Sequence, residues 1–291
     1  MTFEQAREPV SREQARAAAE APALLAAARD AAARAAASLR RHALDRASLA
    51  WESKGRTDFV SVADRAAEDA VRDTLLAAFP DAAILGEEGS PDVSLERGAA
   101  FVVDPLDGTT NFLHGYPWYG VSVGALVDGV LAAGVVTNVA TGELFTATLG
   151  GGAFRERPDG PRDRLAVSTE TEPSRALLGT GLPFKHAHHV APYVASLPRI
   201  LSAVAGVRRA GAAVLDLCDV ACGRFDAFWE LELARWDMAA GILIAREAGG
   251  VVTDLAGVAA RVGTGPIVAG NPAMHAWLLD QLRDTRALLE G

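Results

Sequence analysis

The chain has 291 residues, half of them hydrophobic, which is enough for a sizeable core in one large domain or in two layers that share a cleft. The net charge of −9 argues against nucleic-acid binding through a broad basic surface, whereas a small phosphorylated substrate remains compatible, because bound cations would reverse the sign locally. No apolar run approaches the ~20 residues that span a bilayer, and the charged N-terminus does not resemble a signal peptide, so we expect a cytoplasmic protein without a membrane partner.

The first predicted element is a helix within residues 1–47, which are rich in the good helix formers Ala, Arg and Glu. An apolar stripe places this helix at about residues 22–44, and we expect roughly the first fifteen residues to fray. Residues 54–58 then form a polar, glycine-containing loop. Asp64 is predicted to cap a second helix, which ends at Phe79.

A short apolar strand follows at residues 83–85, ends at Gly86 and presents Glu87 and Glu88. Adjacent residues of a strand point to opposite faces, so only one of these glutamates can enter a shared site. The other would be an ordinary surface charge, and the residues alone do not say which.

The next strand, at residues 99–103, is entirely apolar and delivers Asp104 to its end, where Pro105 bars further sheet pairing. Gly108 permits a tight turn, after which residues 109–111 can open a short helix. Asp104 and Asp107 therefore lie within one turn of backbone, beside free amide groups. Carboxylates of this kind hold hard divalent cations, and a helix N-terminus holds phosphate, so the segment suggests a metal-assisted phosphate site. The alternative is an Asx-rich surface turn.

An antiparallel sheet is predicted next, because apolar runs at residues 119–127 and 130–136 are joined by Asp128-Gly129, a strong hairpin signal. A further strand is expected at residues 144–149. Ser122 lies in a Gly-x-Ser-x-Gly pattern like that of serine hydrolases. That pattern needs a strand, a sharp turn and a helix, whereas here the chain continues as a strand, which argues against a serine nucleophile.

A polar connection at residues 150–164 is a candidate boundary between two halves, residues 1–155 and residues 156–291. Two strands, at residues 165–168 and 176–179, are expected to open the second half. The boundary is placed there because glycines and charged residues interrupt the apolar runs.

Two further groups could in principle bind metal. His186, His188 and His189 cluster, but no carboxylate or cysteine is close to them in the sequence, so we predict a polar surface loop. Cys218 and Cys222 lie four residues apart on a predicted helix without the four ligands of a zinc site, and we expect buried, reduced thiols.

The rest of the second half alternates between helices and strands. Asp237 lies near a helix N-terminus, where the helix dipole favours an ionised carboxylate, and a simple helix cap is the alternative interpretation. The predicted elements are a helix broken at Pro198, a helix at 212–222 closed by Gly223, a strand at 225–231, a helix at 238–248, strands at 251–253 and 266–269, and a final helix from Asn271.

Three segments resemble the signature motifs of the inositol monophosphatase family: residues 104–112 (DPLDGTTNF), residues 86–88 (GEE) and residues 236–241 (WDMAAG). The resemblance runs in order from about Asp58 to about Asn271. It implies an α/β (α+β) fold, a layered αβαβα sandwich of the sugar-phosphatase type, with the active site between its two halves. A homodimer is the family default.

The function implied by this resemblance is a Mg²⁺-dependent, lithium-sensitive phosphatase that acts on myo-inositol monophosphate or a related phosphorylated polyol with two or three Mg²⁺ ions. Histidinol phosphate, fructose 1,6-bisphosphate and 3′-phosphoadenosine 5′-phosphate are alternative substrates. A regulatory or scaffolding protein that has kept the fold is an alternative of a different class.

The resemblance also assigns roles to residues of this chain. It selects Glu87 over Glu88 and implies that Thr109, with Glu87, orients the attacking water. The implied metal ligands are Glu87, Asp104, the Leu106 carbonyl, Asp107 and Asp237. The implied substrate contacts are Leu106, Asp107, Gly108, Thr109, Arg208, Gly211, Ala212, Ala213, Glu230 and Asp237.

Some positions depart from the family pattern or extend it. Ala212 stands where a serine or threonine is common, so a hydroxyl contact is missing there. Asp58 and Asp64 match a D-x-V-x-x-x-D element, and Lys54 lies in a loop that closes over the metals in the family.

Overall fold

The computed structural model describes residues 11–46, 49, 51–55, 58–89 and 93–290, without the side chains of residues 53–55, 58, 59 and 290. The segment predicted as a polar loop is instead largely a hairpin of β1 (Trp51–Gly55) and β2 (Asp58–Ser61), which pair antiparallel. The expectations for the side chains of Lys54 and Asp58 lie outside the described residues.

Helices α1 (Arg12–Ala43) and α2 (Val62–Ala78) pack on each other and form the outer layer of the first half. Helix α1 begins ten residues before the predicted start. The reason is a capping box, in which Ser11 Oγ accepts from the Gln14 N–H at 3.2 Å and Gln14 Oε1 accepts from the Ser11 N–H at 3.0 Å. Pro22 lies inside the helix, and alanines fill much of its buried face.

The first sheet has seven strands in chain order, and all neighbours except the first pair are antiparallel. The predicted hairpin is confirmed, with φ of 48° at Asp128 and 80° at Gly129. The connection predicted at residues 150–164 instead supplies the last two strands. The strands are β3 (Ala83–Gly86), β4 (Ala99–Asp107), β5 (Gly120–Val127), β6 (Val130–Asn138), β7 (Leu144–Thr148), β8 (Gly152–Glu156) and β9 (Asp163–Arg164).

Two features of this sheet bear on the site. Ser122 lies inside β5, paired with Val136 on β6, so the strand–turn–helix of a serine-hydrolase elbow is not formed. Strand β4 does not end at Pro105; its pairing with β5 is irregular after Asp104 and resumes at Asp107. Gly108, with φ of 87°, then leads into the short helix α3 (Thr109–His114).

The middle layer consists of α5 (Ala213–Ala221) and α6 (Arg235–Glu247). Helix α6 packs on β5 and β6 at two glycines. A Cβ atom on Gly124 would lie 2.8 Å from the Ala239 Cβ, and one on Gly134 would lie 3.0 Å from the Ala240 carbonyl oxygen. These glycines are needed for the close approach of α6 to the sheet.

The second sheet has five strands in the order β11-β10-β12-β14-β13. Residues 165–168, predicted as a strand, do not form one. The Leu165 N–H bonds to Ala153 and the Val167 N–H bonds to Ala248 instead. The strands are β10 (Leu177–Thr180), β11 (Gly206–Arg208), β12 (Ala227–Leu233), β13 (Val251–Thr253) and β14 (Gly265–Gly270).

The last layer contains α4 (Val190–Ala203), α7 (Pro272–Gln281) and α8 (Arg283–Glu290). Pro198 does not break α4, and two helices rather than one follow Asn271, which caps α7 as predicted. The five layers confirm the αβαβα sandwich. The proposed division at residue 155 falls inside β8 and stays a prediction. Among the described helices, none has the length and apolarity needed to cross a bilayer.

Candidate active site

A cavity of about 370 Å³ is lined by segments of both sheets and of the middle layer. It collects most of the residues that the sequence proposed for the site. Those lining it are Glu87, Asp104, Leu106, Asp107, Gly108, Thr109, Gly211, Ala212, Ala213, Glu230 and Asp237.

Three aspartates form the centre of this cavity. Asp104, Asp107 and Asp237 each offer a carboxylate oxygen, and these oxygens lie within 4.8 Å of one another. Backbone N–H groups orient each carboxylate. Leu106 N–H donates to Asp104 at 2.9 Å, Val214 N–H to Asp107 at 2.8 Å and Ala234 N–H to Asp237 at 2.7 Å.

The pKa values of all three aspartates are raised. Burial, followed by repulsion from Glu87, raises the pKa of Asp104 well above its usual value. Burial is also the first cause that raises the pKa of Asp107 to about 6 and that of Asp237 to about 7. Oxygen ligands held this close fit a hard divalent metal, which would favour the ionised carboxylates.

One of the two adjacent glutamates lines the cavity and the other does not, but strand alternation is not the reason. Both lie in the turn after β3, and of the two only Glu87 lines the cavity. Both carboxylate oxygens of Glu68 on α2 accept backbone hydrogen bonds in this turn, from the N–H of Glu88 and the N–H of Gly89, each at 2.7 Å. The turn is thereby fastened to α2.

The sequence predicted Asp64 as the cap of α2, whereas in the structure Ser61 caps this helix. Asp64 occupies the third helical position and accepts from the Ser61 N–H at 2.8 Å and the Ser61 hydroxyl at 2.6 Å. Its other oxygen lies 3.1 Å from Thr109 Oγ1, which also lies 3.0 Å from the Leu106 carbonyl. Asp64 therefore positions Thr109 as well as closing the helix end.

Gly108 is required by space and by conformation. With φ of 87°, its added Cβ would lie 3.0 Å from the Trp118 carbonyl and 3.3 Å from the Ala212 Cβ. The Asn111 amide donates to the Trp118 carbonyl at 2.6 Å and to the Ala210 carbonyl at 2.9 Å. The segment after Asp107 is thus joined to the loop before α5, which carries the expected substrate contacts.

Arg208 was expected to contact the substrate, but its neighbour Arg209 is the arginine that lines the cavity. Arg208 is exposed and does not line the cavity, whereas Arg209 does. The Arg209 guanidinium lies 5.0 Å from the ring centroid of Phe184 and works against the rise in the pKa of Asp107. Which of two adjacent arginines turns inward depends on the chain after β11, and no sequence pattern marks it.

Glu230 lines the cavity rather than the outer surface. A Cβ on Gly181 would overlap the Glu230 carboxyl, so the two segments touch. Burial, and then the charges of Asp237 and Asp107, raise the pKa of Glu230 to about 8. Arg224, which is nearby in the sequence, does not pair with Glu230; it pairs with Glu143 and Asp219.

Asp216 is a cavity residue that sequence reasoning missed. It lies on α5, and its buried Oδ1 has no hydrogen-bond partner among the described residues. Burial, followed by the charge of Asp107, raises its pKa well above the usual value. Helix α5 also carries Asp219, so a single polar position in an apolar helix did not mark Asp216.

The histidine loop differs from its prediction as well. Glu232 on β12 supplies the missing carboxylate, with Oε2 lying 3.4 Å from His186 Nδ1 and 3.1 Å from His189 Nδ1. Glu232 and His186 also line the cavity. The prediction of a plain surface loop was wrong in this respect, because the partner lies far away along the chain.

Comparison of the sequence with those of known proteins identifies its relatives. Residues 21–287 match the profile described as "Inositol monophosphatase family". The "Inositol-1-monophosphatase" of Rhizobium meliloti is 47% identical over 218 residues, which are 75% of this chain and 80% of that protein. The "Nus factor SuhB" of Escherichia coli is 40% identical over 231 residues, covering 79% of this chain and 85% of that protein.

Solved structures show the same likeness. The extragenic suppressor protein suhB from Bartonella henselae superposes with a TM-score of 0.82 at 40% identity, covering 89% of this chain and 98% of that one. Mycobacterium tuberculosis SuhB gives a TM-score of 0.73 at 35% identity, covering 96% and 100%. The sequence motifs, the five-layer fold and these relatives agree, and the chain belongs to the inositol monophosphatase family.

Proposed function

We propose that this protein is a Mg²⁺-dependent phosphatase that hydrolyses myo-inositol monophosphate. The observation that carries the proposal is the convergence of Asp104, Asp107 and Asp237, with Glu87, in one cavity. The chemistry needs such a site, because uncatalysed hydrolysis of phosphate monoesters is among the slowest of biological reactions.

The residues that would hold Mg²⁺ are Glu87, Asp104, the Leu106 carbonyl, Asp107 and Asp237. Bound there, two or three ions supply Lewis-acid stabilisation of phosphoryl oxygens and activation of water. The acidic oxygens of this set suit a hard cation, which would favour the ionised carboxylates against the burial that raises their pKa values.

Other residues of the chain would orient the reactants. Thr109, whose hydroxyl contacts Asp64 and the Leu106 carbonyl, would align a water molecule together with Glu87. The N–H groups of Gly108 and Thr109 would donate to phosphate oxygens. These interactions position charge and proton donors before the reaction, which lowers the reorganisation needed in the transition state.

The substrate alcohol would lie toward the second half of the molecule. Gly211, Ala212 and Ala213 line that side, and Glu230 would accept hydrogen bonds from polyol hydroxyls. Arg209 takes the place that we expected for Arg208, as a cation beside the phosphate. Ala212 offers no hydroxyl, so backbone contacts would serve there.

The test is a phosphate-release assay on myo-inositol monophosphate, histidinol phosphate, fructose 1,6-bisphosphate and 3′-phosphoadenosine 5′-phosphate, each with Mg²⁺ or with excess chelator. We expect the highest kcat/KM for inositol monophosphate, no turnover in chelator, inhibition by lithium and poor substitution by Ca²⁺. Full activity in chelator would contradict the metal mechanism. A higher kcat/KM on another member of the set would contradict the substrate.

The names of several relatives favour a second candidate of a different class. Proteins named "Nus factor SuhB" are 40–42% identical to this chain. A regulatory or scaffolding role could therefore accompany hydrolysis. The complete carboxylate set argues against loss of the enzyme activity. A partner that binds both the wild type and an inactive Asp104→Asn variant would support the second role.

The remaining parts of the proposal rest on the family and the sequence. We propose a homodimer in the cytoplasm, with no nucleic-acid or membrane partner. Mass measurement in solution tests the dimer, and localisation of a tagged chain in cells tests the compartment.

A further inference from the structure

A second group of possible metal ligands lies at the rim of the cavity, outside the carboxylate centre. We define it as the rim cluster: His186, His188, His189 and Glu232. One ligand atom each from His186, His188 and Glu232 lie within 4.8 Å of one another. The three histidines come from the segment before α4, and the glutamate comes from β12.

The fourth member, His189, faces the same carboxylate. Its Nδ1 lies 3.1 Å from Glu232 Oε2, yet this nitrogen is buried and forms no hydrogen bond of acceptable angle with the described residues. The His188 and His189 rings are close, with centroids 4.0 Å apart. Three imidazoles thus gather around one carboxylate, an arrangement that a simple ion pair does not require.

We propose that the rim cluster binds one late first-row divalent cation, with Zn²⁺ as the principal candidate. Neutral imidazole is the commonest protein ligand for such ions, and three imidazoles with one carboxylate make a four-ligand set. Metal–nitrogen bonds of about 2.0–2.1 Å in a tetrahedron place ligand atoms about 3.3 Å apart. The ligand atoms of His186, His188 and Glu232, which lie within 4.8 Å of one another, therefore need to approach by at most about 1.5 Å. His189 lies outside that group of three and would join it through a movement of its ring, from a position in which its Nδ1 is 3.1 Å from Glu232 Oε2.

The two sites differ in the metals they select. The central site offers carboxylates and a carbonyl, which suit Mg²⁺, whereas the rim cluster offers mainly nitrogen, which suits Zn²⁺, Co²⁺ or Ni²⁺. His186 and Glu232 line the cavity, so a cation bound there would join the loop before α4 to β12 at the cavity mouth. This inference does not depend on the proposed hydrolysis.

The test is a titration of the whole protein with Co²⁺, in excess Mg²⁺ so that the central site is occupied. We expect one equivalent to bind and give the intense visible absorption of four-coordinate cobalt, and Zn²⁺ to displace it. His188→Ala should weaken Co²⁺ binding by at least the roughly 10- to 100-fold that loss of even an indirect partner costs a metal site. Glu232→Gln should weaken it likewise.

Two variants serve as controls. His42→Ala removes an imidazole on α1 that is bonded to the Ser38 carbonyl, and it should leave the absorption intact. Asp104→Asn impairs the central site and should also leave it intact. His188 is exposed and does not line the cavity, so its variant should fold and keep its Mg²⁺-dependent activity. No four-coordinate absorption from the wild type, its persistence in His188→Ala, or its loss in Asp104→Asn would overturn the proposal.

Discussion

Asp104 combines complete burial with three negatively charged neighbours. The charges of Glu87, Asp107 and Asp237 add to burial and raise its pKa. In the absence of cations this side chain opposes folding, because repulsion and desolvation both disfavour its charge. The same charge is what a divalent cation would bind. Its substitution should therefore change activity and stability in opposite directions.

We predict that Asp104→Asn lowers Mg²⁺-dependent phosphate release by roughly a thousandfold or more, the several kcal/mol that a metal-binding charge contributes to the transition state. In chelator the same variant should unfold at a higher denaturant concentration than the wild type. Glu88→Gln is the matched control, because Glu88 does not line the cavity, and it should change neither quantity. Equal losses for Glu88→Gln and Glu87→Gln would mean that the choice of Glu87 is unsupported.

A second prediction concerns Glu230, which contacts Gly181 and lines the cavity. Glu230→Gln should lower kcat/KM for inositol monophosphate, with a loss of about 1–3 kcal/mol of transition-state stabilisation. The reason is that Mg²⁺ bound beside Asp107 and Asp237 would favour the ionised form of Glu230, which accepts a hydrogen bond from a polyol hydroxyl more strongly than an amide does. Hydrolysis of p-nitrophenyl phosphate, which has no hydroxyl, should hardly change.

The two substrates together discriminate between roles for Glu230. A similar loss on both would assign it to the support of the site, and no loss on either would contradict a substrate contact. Gly181→Ala should reproduce the selective loss, because its Cβ would displace the carboxyl. Gly263→Ala is the control, since its Cβ would approach nothing closer than the Arg261 carbonyl oxygen at 3.8 Å.

Among the individual site residues, the sequence predicted those that belong to contiguous motifs. Asp104 and Asp107 are fixed by one turn of backbone, so a local pattern is sufficient to place them together. Arg209, Asp216 and Glu232 reach the cavity through the packing of distant elements. No local periodicity marks them, and the choice of Arg208 shows that even the correct loop does not identify the inward side chain.

Helix α2 acts as a support for the site. Two of its carboxylates, one turn apart, reach different segments: Asp64 contacts Thr109, and Glu68 accepts from the turn that carries Glu87. Glu68 is buried, and a Cβ on Gly86 would lie 2.6 Å from its Oε1. The helix thereby fixes two residues of the site through side chains that do not line the cavity.

We predict that Glu68→Gln weakens Mg²⁺ activation by about 10-fold or more, as expected when a partner that orients a metal ligand is impaired. The amide has one acceptor oxygen where the carboxylate has two, so one of the two backbone N–H groups loses its partner. The measurement is activity against Mg²⁺ concentration at saturating substrate. Asp69→Asn, an exposed neighbour on the same helix, should leave the curve unchanged, and an equal shift in both variants would argue against this role.

Elements with a strong apolar pattern were predicted well, whereas their ends were not. The buried strands β3 to β7 and the hairpin at Asp128 follow from composition and turn chemistry. Helix α1 begins early because Ser11 and Gln14 cap each other, a pairing that the apolar stripe does not reveal. Strand β8 consists of residues that resemble a polar connection, and it forms because β7 offers a free edge to pair with.

The stability of the whole molecule depends on the protonation state of the aspartates in the cavity. The folded-state pKa values of Asp107 and Asp237, about 6 and about 7, exceed the ordinary value of 3.8. Between these limits the two aspartates bind more protons in the folded protein than in the unfolded chain, so their contribution to stability falls as pH rises. The fall begins near the ordinary carboxylate pKa and is complete above the folded-state values.

We therefore predict that protein stripped of metal is less stable at about pH 8 than at about pH 5, by urea unfolding. Saturating Mg²⁺ should reduce or reverse this difference, because the ion binds the deprotonated carboxylates. Asp104→Asn should also show a smaller difference, since one contributor to the repulsion is gone. Greater stability at the higher pH in stripped wild-type protein would contradict the electrostatic account.

The division of the site between β4 and α6 has a consequence for newly made chains. Asp104 and Asp107 leave the ribosome well before Asp237, which follows several seconds to tens of seconds later at roughly 5–20 residues per second. Throughout that interval a nascent chain carries part of the acidic centre without the helix that completes it. Completion of the acidic centre consequently belongs to a late stage of biogenesis, after the segment that carries α6 has been synthesised.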